Sequence, residues 1–342
     1  MSDSPTSSTP TVTPERYAEL AGDIEREVGK VIVGQDQLVR TVVTCLLAEG
    51  HALLEGVPGL GKTMLLKALS EAVDLPFSRV QFTPDLMPAD IVGTQVLQED
   101  EHGHKAFQFR PGPVFASFVL ADEVNRATPK TQSALLEAMQ ERAVTAGGAT
   151  RPLPRPFLVM ATQNPLEMEG TYPLPEAQLD RFLLKAQVPF PSAEDLVTVL
   201  ERTTGTESVS LHSVADAPTL MAMINLTRRV PVARHVLRHA VDLVVATHPG
   251  QVTAPDLIGR YVRFGASPRA AQAMVLAGKV TALLDGRPNV SIADIRAVAL
   301  GALRHRLVVG YEATADGVDT EQLVAALLDA VREPTAGMRG AP

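Results

Sequence analysis

Tryptophan is absent from this 342-residue chain, cysteine occurs once, and aromatic residues make up only 4%. A single thiol rules out an internal disulfide, and Cys45, set in the apolar stretch TVVTCLLAEG, reads as a small buried residue. So few aromatics leave little material for a platform on which bases could stack. Basic residues are also outnumbered, 31 against 39 acidic, and the net charge is −8. That excess repels phosphate backbones overall, so nucleic acid is not expected as a partner. No apolar run reaches the roughly 18 residues of a membrane span. No basic segment followed by an apolar one opens the sequence, so a secretory signal is not expected and the cytoplasm is the expected location.

What is present is ordinary for a folded protein: 45% hydrophobic and 20% charged residues, with length for about two domains. Residues 1–13 are rich in Ser, Thr and Pro and read as a disordered tail. Helical spacing begins with Tyr17, Leu20, Ile24 and Val28, and a second helix after Gly34 carries Leu38, Val42, Cys45 and Leu46. Short apolar runs at 51–56, 79–83, 117–123, 157–164 and 183–190 then alternate with helical segments at 64–73 and 129–142. Strands with near-continuous hydrophobicity are buried on both faces, and strand–helix alternation implies a parallel sheet. Beyond about residue 190 only helical segments follow, near 192–203, 217–228, 234–247, 268–284, 291–304 and 319–332. The expected organisation is an α/β core over 14–190, an all-helical domain over 191–334 and a flexible C-terminus over 335–342.

Gly56, Val57, Pro58, Gly59, Leu60, Gly61, Lys62 and Thr63 spell G-x-x-x-x-G-K-[ST], after a strand and before a helix, with Met64 next. Glycines let backbone N–H groups point into a phosphate-sized cradle, and the helix N-terminus adds favourable partial charge. Lys62 would reach the β- and γ-phosphates of ATP, and the Thr63 hydroxyl would ligate Mg²⁺. A second apolar strand ends in Asp122–Glu123, where parallel sheets bind ligands. Asp122 would hold Mg²⁺ through water, and Glu123 would orient or deprotonate the attacking water. A third strand ends in Asn164, whose amide could position that water or simply start an Asn-Pro turn. Arg126 is a further cation that could touch a phosphate or an interface. His102 and His104 have no other ligand near them in sequence and read as a polar hairpin tip. The basic stretch ALRHRL (302–307) reads as a solvated helix face.

GVPGLGKT, LADEVNRA, ATQNP and LPEAQLDRF, in this order and spacing, resemble the AAA+ superfamily and most closely its MoxR family. QFTPDLMPADIVG at 81–93 and GASPRA at 265–270 extend the likeness, which runs from about Val31 to the C-terminal helices. The resemblance implies a P-loop AAA+ core with a parallel sheet flanked by helices, followed by an all-α lid. It implies that Val33 and Gly34 border adenine, that Asn164 is the sensor-1 residue, and that Arg181 is an arginine finger offered to a neighbouring subunit. Arg269 matches sensor 2 on the lid. The residues after Phe82 match a helix-2 insert, and 142–157 match the hairpin before sensor 1. By the same likeness, the expected assembly is a ring, a hexamer. It would be a chaperone-like machine that remodels or matures a client protein or inserts a metal cofactor into it, often with a von Willebrand factor A partner. A magnesium-chelatase-like motor subunit and a nucleotide-gated scaffold are the competing readings. A DNA motor fits the acidic charge poorly.

Overall fold

The computed structural model describes residues 12–99, 104–165, 171–205 and 209–333. Most of the expected tail, the C-terminal segment from 334 and His102 lie outside these residues. Helices α1 (Pro14–Gly29) and α2 (Asp36–Leu47) precede strand β1 (Ala52–Glu55), which passes through the glycine-rich loop into α3 (Lys62–Ala72). Strand β2 (Phe77–Gln81) and the short α4 (Pro88–Val92) lead to an antiparallel hairpin of β3 (Gly93–Glu99) and β4 (Lys105–Pro111). Strand β5 (Phe118–Asp122) ends in the acidic pair, and α5 (Pro129–Glu141) follows. A second hairpin, β6 (Ala143–Ala146) with β7 (Ala149–Pro152), precedes β8 (Leu158–Gln163), α6 (Glu176–Leu179) and β9 (Leu184–Gln187).

The sheet order is β2-β5-β8-β1-β9, all parallel. The three middle strands are the most apolar because both of their faces are covered, as the continuous runs predicted. Strand β9 lies on the edge, paired with β1 alone. The two hairpins occupy the positions expected for the insert and the pre-sensor segment.

Beyond β9 lie α7 (Ala193–Thr204), α8 (Ala217–Arg229), α9 (Arg234–Ala246) and α10 (Asp256–Tyr261). After these come β10 (Val262–Phe264), α11 (Pro268–Leu284), α12 (Ile292–Leu303), β11 (Val308–Val309), α13 (Tyr311–Ala315) and α14 (Thr320–Ala330). Side-chain caps start most of the long helices: Ser192, Asp216, Ser267, Ser291 and Asp319 each accept from a backbone N–H in the first turn. This part is helical except for the β10–β11 ladder, whose two- and three-residue strands are too short to show any periodicity. The change of pattern near 190 does not divide the core. One apolar cluster continues from α1, α2 and the sheet into the lid, and the buried Tyr17 hydroxyl bonds the Thr227 hydroxyl of α8 at 2.9 Å. Cys45 lies inside this cluster, where burial pushes its thiol up to about 12.

Candidate active site

The glycine-rich loop leaves β1 with Gly59 at φ 84° and Gly61 at φ 78°, left-handed conformations that side chains resist. Neither glycine has a heavy atom within 4 Å of where a Cβ would stand, so the loop is an open cradle. Gly56 is different: a Cβ there would meet Val188 at 2.8 Å, so only glycine lets the loop root pass β9. Lys62 is buried in the first turn of α3, with Nζ donating to the Gly56 carbonyl. Burial lowers its pKa, while the nearby carboxylates of Asp122 and Glu123 pull it upward. A buried ammonium facing two carboxylates across open backbone N–H groups suits a phosphate–cation pair. These residues therefore fit both groups implied by the motif, and Thr63 and Asp122 are the side chains that would hold Mg²⁺.

One cleft brings together Pro58, Gly59, Gly61, Lys62, Thr63 and Met64 with Asp122, Glu123 and Asn164. Nine of the expected site residues thus converge from the ends of three strands that are neighbours in space but not in sequence. Val33 and Gly34 lie outside that cleft, tied to it through Gln35, whose amide donates to the Leu60 carbonyl at 3.3 Å. The Asp195 carboxylate of α7 covers Gly34, where a Cβ would meet it at 2.3 Å.

The acidic pair is held by Arg126 and by three residues that sequence reasoning missed, Thr162, Arg79 and Gln81. Thr162 at the end of β8 donates to Asp122 Oδ1 at 2.6 Å and accepts from the Glu123 N–H at 2.8 Å. That second bond supports Glu123 at φ 54°, a left-handed position unusual for a side-chain-bearing residue. Arg79 pairs with Asp122 Oδ2 at 2.7 Å. Glu123 Oε2 accepts from Gln81 at 2.7 Å and from Arg126 at 3.0 Å. Arg79 and Gln81 stand two apart on β2, the strand beside β5. Their only signal was a polar i, i+2 pair in a strand otherwise called buried.

Arg181 and Arg269 are not in this cleft. They line a second one together with Glu49, Arg142, Asp180 and Arg306. The helix carrying Arg269 is anchored there because Ser267 donates to both oxygens of Asp180, at 2.9 and 2.8 Å. The Arg269 head group lies 3.7 Å from the same carboxylate. The reading of ALRHRL as a solvated face is overturned: Arg304, His305 and Arg306 are all buried. His305 donates through Nε2 to the Phe182 carbonyl, and burial holds its pKa well below the usual range.

Two family models match the sequence. The ATPase family associated with various cellular activities covers residues 51–184, and an AAA lid domain covers 256–327. Chaperone MoxR1 of Mycobacterium tuberculosis is 44% identical over 90% of this chain and 81% of its own length. The chain belongs to the MoxR family of AAA+ ATPases. Protein MoxR of Methylorubrum extorquens is 32% identical over 85% of this chain and 88% of its own. A crystal structure from Cytophaga hutchinsonii, described as a candidate ATPase, superposes with a TM-score of 0.88. It is 39% identical and covers 94% of this chain and 97% of its own. The α/β core and helical lid are thus those of this AAA+ family. Among the described residues no helix is long and apolar enough to cross a membrane.

Proposed function

We propose that this MoxR-family protein hydrolyses ATP to ADP and phosphate, in a ring, to drive remodelling or maturation of a client protein. The observation that carries the reading is the convergence of Lys62, Thr63, Asp122, Glu123 and Asn164 in one cleft while Arg181 and Arg269 line another. Backbone N–H groups of the Gly59–Thr63 loop and Lys62 bind the β- and γ-phosphates. Thr63 and Asp122 would hold Mg²⁺, which would supply neutralising charge to the phosphates. Asn164 orients the attacking water, and Glu123 takes its proton. Glu123 Oε2 is held by Gln81 and Arg126, so moving the carboxylate onto the water would break those two bonds.

Phosphoryl transfer spreads charge over the γ-phosphate oxygens, and a positioned arginine is worth about 10³–10⁵ in rate. Arg181 and Arg269 line the second cleft and not the phosphate cleft, which supports the reading that both serve a neighbouring chain's phosphates. Turnover would then depend on assembly. The hexamer, the client, a von Willebrand factor A partner and a cytoplasmic setting are proposals that rest on the family likeness. The word chaperone in the name of the Mycobacterium relative supports the client reading.

The test is ATP turnover per chain against protein concentration, with nucleotide binding measured separately. Glu123→Gln should abolish turnover and keep ATP binding, Lys62→Ala should lose binding, and wild-type turnover per chain should rise as rings form. Normal turnover by Glu123→Gln would sink the mechanism. Client identity follows from proteins held by Glu123→Gln in ATP but not by Lys62→Ala.

A further inference from the structure

We propose that Arg306 is a positioning residue for Arg181: its buried side chain fixes the backbone on both sides of Arg181 and so sets where that arginine meets the neighbouring subunit. The inference rests on the trans reading of Arg181 given above.

Strand β9 is the edge of the sheet, so the carbonyls leading into it lack a strand partner on the outer side. Buried carbonyls without partners are costly, and something must bond them. Arg306, in the turn after α12, does so with three of its five N–H groups and spends the other two on the Asp180 carboxylate and its own helix. Nε donates to Asp180 Oδ1 at 2.7 Å, and Nη2 donates to the carbonyls of Asp180 at 3.1 Å and Phe182 at 2.6 Å. Nη1 donates to Leu183 O at 3.3 Å and to Ala302 O of its own helix at 2.5 Å. The side chain is 3% exposed. His305 adds a second bond to the Phe182 carbonyl at 3.1 Å.

Arg181 itself is in the opposite state. Among the described residues its guanidinium has no hydrogen bond or ion pair, and its Nε is buried without a partner. Nothing at the head group holds it, so its direction is set by the backbone that carries it. That backbone is bonded at residues 180, 182 and 183 by one side chain of the lid. The same Asp180 carboxylate anchors Ser267 at the start of the Arg269 helix. One buried arginine therefore keeps both trans-facing arginines in register with the lid. Only a planar five-donor fork can reach these acceptors at once; a lysine offers three donors from a single point.

The test is complementation between full-length variants, each inactive alone and mixed before assembly. Lys62→Ala has a dead P-loop but an intact Arg181. Arg181→Ala and Arg306→Lys have intact P-loops. Arg306→Lys alone should lose at least about tenfold in kcat with little change in KM for ATP, as expected when an interaction is made in the transition state. Mixed one to one with Lys62→Ala, it should recover about a quarter of wild-type turnover, the chance that an intact P-loop faces an intact Arg181 in a heterologous ring. Arg181→Ala should recover equally, and the Arg181→Ala/Arg306→Lys double variant should be no slower than Arg181→Ala. If Arg181→Ala complements but Arg306→Lys does not, while keeping its melting temperature and ring mass, the positioning role is overturned. If Arg306→Lys alone turns over normally, it is overturned as well. If Arg306→Lys does not fold, Asp180→Asn, which removes one anchor of the same clamp, replaces it in each arm with the same expectations. If neither mixture recovers, the trans reading of Arg181 fails and the inference falls with it.

Discussion

Replacing Gln81 with Leu should speed basal ATP turnover, against the usual outcome for a substitution beside an active site. Glu123 Oε2 accepts two hydrogen bonds, from Gln81 at 2.7 Å and Arg126 at 3.0 Å, and both resist movement of the carboxylate toward the attacking water. Leu keeps the size of Gln81 and removes the donor. A hydrogen bond to a charged group contributes about 1.5–3 kcal/mol when buried, but Gln81 is exposed, so about 1 kcal/mol is the better figure. Lowering the barrier to releasing Glu123 by that amount raises turnover about fivefold. Gln81 also accepts from Arg79 at 2.9 Å, so the change loosens Arg79 over Asp122 in the same direction. The assay is steady-state phosphate release at saturating ATP and Mg²⁺, with Glu123→Gln as the zero. A fall in kcat would show that Gln81 works in the reacting arrangement. No change would show that Arg126 alone sets the release.

Thr162→Val should cut kcat more than tenfold with little effect on ATP binding. It removes the bond to Asp122 and the support of the left-handed Glu123 backbone while leaving the P-loop untouched; equal losses in kcat and affinity would refute this. His51 should make stability fall in acid. It is buried, with Nδ1 accepting from Val159 N–H and Nε2–H donating to Met139 O, and burial lowers its pKa to about 4. The unfolded imidazole, near 6.5, binds its proton first as pH falls, so stability is lost between about pH 6.5 and 4, by about 2 kcal/mol from pH 7.5 to 5. Denaturant midpoints at those two pH values should differ less in His51→Gln; the slope will not vanish, because His305 is shifted in the same direction.

The parts of the fold that were legible are those where one local rule dominates. The middle strands show continuous apolar runs because both faces are covered, and the lid helices announce themselves by Ser and Asp caps and by proline at their starts. The phosphate loop and acidic pair are legible because their backbone demands glycine and their chemistry demands carboxylates at one spot. What stayed hidden depends on neighbours far away in sequence. Arg79 and Gln81 matter only because β2 lies beside β5. Thr162 reads as one more β-branched strand residue until β8 is placed on the other side. ALRHRL has the composition of a wet surface, and it is buried because an edge strand about 120 residues earlier in the chain needs donors.

That last case also explains which arginines of the second cleft are available. Arg142 is bound to Glu49, at 2.7 Å through its side chain and at 2.9 Å to its carbonyl. Arg306 has every donor occupied, four on the β9 lead-in and one on Ala302 of its own helix. Arg269 is held only loosely, 3.7 Å from Asp180, and Arg181 has no partner at all among the described residues. Taking a guanidinium partly out of water without pairing it is unfavourable, and folded proteins rarely leave one so unless something else meets it. The two arginines left underbonded are the two that the family likeness assigned to nucleotide, chosen by a criterion independent of that likeness. The phosphate cleft has the complementary deficit, since Lys62 faces two carboxylates and Arg79 is committed to Asp122. A γ-phosphate bound there would add negative charge beside a lysine that already faces two carboxylates. Joining the two clefts between subunits settles both deficits at once, and it would couple hydrolysis to ring formation.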